Sequence, residues 1–196
     1  EDVKIPVFQI GGWYDTFSAG LFNNFAGMRE RGGSQLAREQ QKAIIGPWTH
    51  SASEETHTGQ MDFGLHSVLD LKEIELRWFD HWLKGVDSGI LDEPPVRLFV
   101  MGRNEWRDEA DWPLPDTRYA NYYLRDAGRD SGGSVASLND GGLSAEPPQG
   151  SEQPDSYTYD PDHPVPSIGG NTLGIPNGAC DHRPVDERCL TYTSAP

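Results

Sequence analysis

IPVFQIGGWYD (5–15) is the stretch that decides the fold. Its apolar run from Ile5 to Ile10 has the length of a buried strand, and Gly11-Gly12 closes it. Asp15 follows five residues after Ile10. The pattern recurs downstream. Lys42 to Gly46 is a second short apolar run, closed by Pro47, and His50 follows five residues after Ile45. Between them, Ser18 to Gln41 holds Leu21, Phe22, Phe25 and Met28 at helical spacing, with Gly32-Gly33 interrupting the helix. A second helix is read from Ser67, with Asp70 three residues on as a capping-box-like partner. Leu71, Ile74, Trp78 and Trp82 give it a broad apolar face, and Lys84-Gly85 ends it. Strands alternating with helices imply parallel pairing through right-handed crossovers, hence an α/β sheet.

Asp15 and His50 therefore stand at matching strand ends. Ligand sites of open α/β sheets gather at the C-terminal strand edge. A carboxylate accepting from imidazole Nδ1–H fixes the tautomer, and Nε2 is then free as a general base toward a hydroxyl nucleophile. The order Asp then His is that of the last two triad members in α/β-hydrolases. The plain readings stand beside this one. An Asp after a strand is usually a turn former, and a His after Pro-Trp usually packs or is solvated. Trp13, Tyr14 and Trp48 flank the pair and read equally as pocket lining or as core. His81, between Asp80 and Trp82, reads as structural.

The grammar changes near residue 91. Of the 15 prolines, 13 lie beyond it, and all four lysines lie before it. Residues 1–91 carry net charge −5 and residues 92–196 carry −10, out of −15 for the chain. Leu91-Asp92-Glu93-Pro94-Pro95 reads as the junction of two domains, 1–91 and 92–196. In the second, Val96 to Val100, Tyr119 to Leu124, Tyr157 to Tyr159 and Cys189 to Thr193 read as strands between Gly-, Pro- and Ser-rich turns, which suggests an all-β sandwich. The acidic balance argues against nucleic acid and anionic membrane as partners.

Six blocks in order carry a family likeness: GGWYDTF (11–17), IIGPWTHS (44–51), LRWFDHWLKG (76–85), VRLFVMGRNEWRDEADWPLPDT (96–117), YDPDHPVPSIGG (159–170) and DHRPVDERCLTYTS (181–194). Together they resemble the cocaine esterase and X-Pro dipeptidyl peptidase (S15-like) family of serine hydrolases. The resemblance implies part of an α/β-hydrolase sheet over 1–91 and part of a β jelly roll over 92–196. It implies that Asp15 is the triad acid and His50 the base, and that Phe17, two residues after the acid, lines the acyl pocket. It brings a loop, here Gly169 to Ile175, toward that pocket, with Leu173 as its lining residue. Gly174 departs from the bulky residue expected beside it. With Trp13, Tyr14 and Trp48 these residues form the expected substrate pocket.

The family nucleophile, a Ser in a G-x-S-x-G elbow, finds no match here. Ser34 and Ser134 lack the strand–turn–helix setting. The chain is accordingly read as part of a longer hydrolase, inactive by itself, whose serine and oxyanion donors lie elsewhere. Its partner is a small-molecule ester or amide, and the chemistry requires no metal or organic cofactor. The rival reading is a non-catalytic β-sandwich binding module with residues 1–91 as scaffold. His57, His66, His163 and His182 lack zinc-type spacing. Cys180 and Cys189 are compatible with a bridge or with two free thiols. A cytoplasmic location is favoured over export, and a homo-oligomer is compatible with an unpaired sheet edge.

Overall fold

A computed structural model describes residues 2–50, 54–126, 137–139 and 141–195. The chain divides into two compact units: residues 1–117 with 169–180, and residues 118–168 with 181–196.

The first unit is built on a four-stranded sheet. β1 (Phe8–Gly12) is followed by α1 (Ser18–Arg31), α2 (Gln35–Glu39) and β2 (Lys42–Gly46). β1 and β2 pair in parallel from Phe8↔Lys42 to Gly12↔Gly46. The β2 run is buried at every residue, as a central parallel strand requires. Beyond it come a short hairpin, β3 (His57–Thr58) with β4 (Met61–Asp62), then α3 (Leu71–Lys84), β5 (Val96–Val100) and β6 (Glu105–Glu109). β5 pairs parallel to β2 and antiparallel to β6, giving the order β1-β2-β5-β6. The compositional break near residue 91 thus falls inside this unit.

Each face of the sheet carries its own core. Phe25 of α1 packs with Ala43, Ile45, Val96 and Leu98 on one face. Ile74 and Trp78 of α3 pack with Ile44, Trp48 and Ile90 on the other. Helix α3 starts later than the sequence suggests. Its N-cap is Asp70, whose carboxylate accepts from Glu73 N–H at 3.0 Å. Ser67 closes a 3₁₀ turn instead (Leu65–Ser67), fully buried, and donates its hydroxyl to Gly64 O. Gly85 ends α3 in the left-handed region, φ 69°.

The second unit holds a three-stranded sheet of β7 (Tyr123–Arg125), β8 (Gly141–Ser144) and β9 (Tyr192–Ser194). β8 pairs antiparallel to β7 and parallel to β9. Tyr157 to Tyr159 form no strand; both tyrosines are exposed. The architecture is therefore a partial α/β unit with a β-rich region after it. No helix among the described residues is long and apolar enough to cross a membrane.

Lys42 opens β2 with its side chain buried, and its ammonium donates to Glu93 O at 2.7 Å and Pro94 O at 3.2 Å. Burial pulls its pKa down to about 8 from the ordinary 10.5. The folded amine releases its proton before the unfolded one does. The folded state is therefore penalised below pH 8, and stability rises as pH climbs from 8 toward 10.5. Urea unfolding of the chain and of Lys42→Met across pH 7–10.5 should show the gap moving in the wild type's favour over that window; parallel pH profiles would refute the burial effect.

Candidate active site

The pairing of β1 with β2 does not stop where the strands do. Trp13 N–H donates to Gly46 O at 2.9 Å, and Tyr14 N–H donates to Trp48 O at 2.9 Å. This contact leaves no room for a side chain at residue 12: a Cβ there would lie 2.1 Å from Trp48 O. At Gly46 a Cβ would lie 2.3 Å from the Trp48 ring. Trp48 is itself fixed, 2% exposed, with its indole N–H donating to Ser67 O at 3.0 Å. Two strand-end turns are thus tied together by main-chain bonds, and each carries one chemical group.

On the first turn, Asp15 N–H donates to Gly12 O at 3.0 Å. The Asp15 carboxylate is turned inward, its residue 7% exposed, and Oδ1 accepts from Phe17 N–H at 2.9 Å. Asp15 O accepts from Ser18 N–H and from the Ser18 hydroxyl, which starts α1 at the same point. On the second turn, His50 brings Nδ1 to 3.2 Å from Asp15 Oδ1 and 3.1 Å from Oδ2. A carboxylate only accepts, so this contact places the proton of the neutral ring on Nδ1. The imidazole is otherwise half exposed. The Phe17 ring meets it edge-on, centroids 5.1 Å apart, and is itself more than half exposed.

The residues assigned to a substrate pocket therefore separate. Phe17 touches His50. Trp48 does not line an open pocket; its burial and its bond to Ser67 make it core. Trp13 likewise turns inward, donating Nε1–H to Phe99 O at 2.8 Å and packing on Phe22 and Trp112. Tyr14 lies 6.5 Å from the Phe63 ring. Burial, then the nearby Cys180, raise its phenol pKa, so it is neutral at ordinary pH. Leu173 is exposed on the segment 169–180, which closes on itself through Gly170 and Gly178. That segment is pinned to the β3–β4 hairpin where Gln60 N–H donates to Ala179 O and Ala179 N–H donates to Thr58 O.

Both cysteines are free thiols, Cys180 in the first unit and Cys189 in the second. Among the described residues no three His, Cys, Asp or Glu side chains cluster as a metal site would. A cavity of about 740 Å³ lies in the second unit beside Tyr157, Tyr159 and His163; neither Asp15 nor His50 lines it. Sequence reasoning missed the parts played by Gly12 and Ser67. The Gly11-Gly12 pair signals a close backbone approach, but its counterpart, Trp48, is not readable from local sequence.

Known proteins resemble this chain. Residues 1–52 match the family of X-Pro dipeptidyl-peptidases (S15 family). Residues 88–196 match the X-Pro dipeptidyl-peptidase C-terminal non-catalytic domain. The cocaine esterase of Rhodococcus sp. (strain MB1 Bresler) is 35% identical over 188 residues, which is 93% of this chain and 30% of that protein. The crystal structure of an aminopeptidase from a marine sediment Thaumarchaeota archaeon superposes with TM-score 0.57 at 24% identity, over 84% of this chain and 24% of that one. At that identity the match speaks for the fold alone. The chain spans about a third of the length of the curated relative.

Replacing Gly12 by Ala should force the two turns apart. We expect a loss of at least ~1–3 kcal/mol in urea unfolding, the usual cost of overpacking. Gly20→Ala is the control: nothing lies within 4 Å of its Cβ in α1, and Ala there should stabilise by about 0.5–1 kcal/mol. Equal stability of Gly12→Ala and wild type would refute the close approach.

Proposed function

We propose, from the fact that this chain belongs to the X-Pro dipeptidyl-peptidase (S15) family of serine hydrolases, that it carries the acid and the base of a Ser-His-Asp hydrolase. The observation that carries this reading is the Asp15 carboxylate bonded to His50 Nδ1 on the sheet edge where ligands collect. Catalysis is assigned to the first unit. The match of residues 88–196, which hold neither Asp15 nor His50, to a non-catalytic domain supports placing the chemistry before residue 88. We read that later part as belonging to a jelly roll.

The chemistry follows from the geometry. With Nδ1–H given to Asp15, the His50 lone pair is on Nε2. A serine hydroxyl placed there loses its proton to Nε2 as its oxygen attacks an ester or amide carbonyl. The imidazolium that forms is stabilised by the carboxylate at 3.1 Å. It then protonates the leaving alcohol or amine, giving an acyl-enzyme. His50 next takes a proton from water as its oxygen attacks the acyl carbon; the bond from that carbon to the serine oxygen breaks, and the imidazolium returns the proton to the serine as the acid leaves. Asp15 is pre-organised because Phe17 N–H and the His50 ring hold its oxygens. Phe17, edge-on to the imidazole, borders the acyl group. The serine and the oxyanion donors belong to the portion of the relatives that this chain does not span. The chain by itself is then inactive, and its parent takes a small-molecule ester or amide.

In the parent enzyme, Asp15→Asn should lower kcat for ester hydrolysis by roughly 10⁴-fold, because the wrong tautomer faces the serine. His50→Ala should lower it at least as far. Turnover within tenfold of wild type in either variant would overturn the assignment.

A further inference from the structure

We infer that Trp106 and Trp13 are positioning residues of the acid–base pair: they hang both of its turns on one point of the β5–β6 hairpin, inside the part of the chain that matches a non-catalytic domain. This rests on the reading of the site above.

That point is the cross-strand pair of Phe99 and Trp106. The two residues stand opposite each other in the antiparallel register, their rings 5.3 Å apart at 75°. β5 also runs parallel to β2 with Leu98 beside Ile45. Phe99 therefore stands level with Gly46, at the sheet end where Asp15 and His50 meet. It is 1% exposed, and its ring packs edge-on to Phe63 at 6.1 Å.

The base is held from one side of this pair. Trp48, two residues before His50, has its ring 5.7 Å from that of Trp106. Trp106 Nε1–H donates to His66 O at 2.5 Å, and the next carbonyl, Ser67 O, accepts the Trp48 indole N–H at 3.0 Å. The two indoles and the 3₁₀ turn thus close a circuit of contacts. The acid is held from the other side. Trp13, two residues before Asp15, donates Nε1–H to Phe99 O at 2.8 Å. Each turn is tied to one member of the same strand pair, and each tie lies two residues before the group it serves.

The His50 imidazole is half exposed, so packing on the ring does little to fix it and the turn beneath must. A misplacement of about 1 Å caused far from the chemistry can cost roughly a hundredfold in rate. Indoles that served packing alone would, when lost, lower stability and leave the Asp15–His50 contact as it is. Indoles that position the turns would, when lost, loosen that contact.

The test uses the longer parent enzyme, labelled with ¹⁵N-histidine. Trp106→Leu and Trp13→Phe should each lower kcat for ester hydrolysis by about 10–100-fold, with KM within about threefold of wild type. In both variants the neutral His50 ring should show mixed tautomers, where the wild type carries its proton on Nδ1. Phe25→Leu, in the core on the α1 face, is the control for lost stability. It should lower Tm while kcat stays within about threefold and the tautomer is unchanged. Should Trp106→Leu fail to fold, Trp106→Phe decides: it gives up the N–H to His66 O, and its kcat should fall roughly 3–10-fold. A wild-type kcat or a wild-type tautomer in the Trp variants, or the same losses in Phe25→Leu, overturns the positioning role. If Asp15→Asn and His50→Ala retain turnover, the catalytic reading falls, and the tautomer in Trp106→Leu and Trp13→Phe then decides the positioning role by itself.

Discussion

Two main-chain hydrogen bonds beyond the ends of β1 and β2 hold the rest of the site in place: Trp13 N–H to Gly46 O and Tyr14 N–H to Trp48 O. Each such bond contributes only about 0.5–1.5 kcal/mol net. Their importance is geometric. They carry the parallel register past the strands, so that the residue after Tyr14 and the second residue after Trp48 meet. Gly12 is small because the two turns approach to contact there, Gly46 because the Trp48 ring folds back over it, and Trp48 wedges the second turn against Ser67. The Asp15–His50 pair is thus the outcome of sheet registry, with neither group relying on a long flexible loop. Its carboxylate is enclosed while its imidazole stays half exposed.

Much of this was legible in sequence because the deciding signals are local. β2 runs from Lys42 to Gly46 as the apolar run and Pro47 indicate, and Gly32-Gly33 separates α1 from α2. Asp15 and His50 could be paired because each follows closely on a parallel strand end, three residues after Gly12 and four after Gly46, at the same sheet edge. The errors came where distant residues decide. Ser67 looks like a helix cap, but burial under Trp48 recruits it to a 3₁₀ turn, and Asp70 caps α3. Trp13 and Trp48 look equally like pocket or core until Phe99 O and Ser67 O claim their N–H groups. Val96–Val100 reads as a strand and is one, but its pairing beside β2 is a non-local event that sequence does not show.

The two halves of the chain also divide chemically. The first unit has a two-faced apolar core and holds both candidate catalytic groups. The second has a small mixed sheet, and its exposed tyrosines belong to a cavity separate from the Asp–His pair. The family match that describes residues 88–196 as non-catalytic takes in β5, β6 and residues 169–180 of the first unit but neither Asp15 nor His50. The acidic excess is twice as large beyond residue 91 as before it, −10 against −5.

The most direct test of the central claim is the tautomer of His50, read from its ring ¹⁵N shifts in the neutral state. The geometry predicts a proton on Nδ1, given to Asp15, with Nε2 bare, and a change in that pattern in Asp15→Ala. A neutral ring protonated on Nε2, or one unaffected by loss of the carboxylate, would contradict the account.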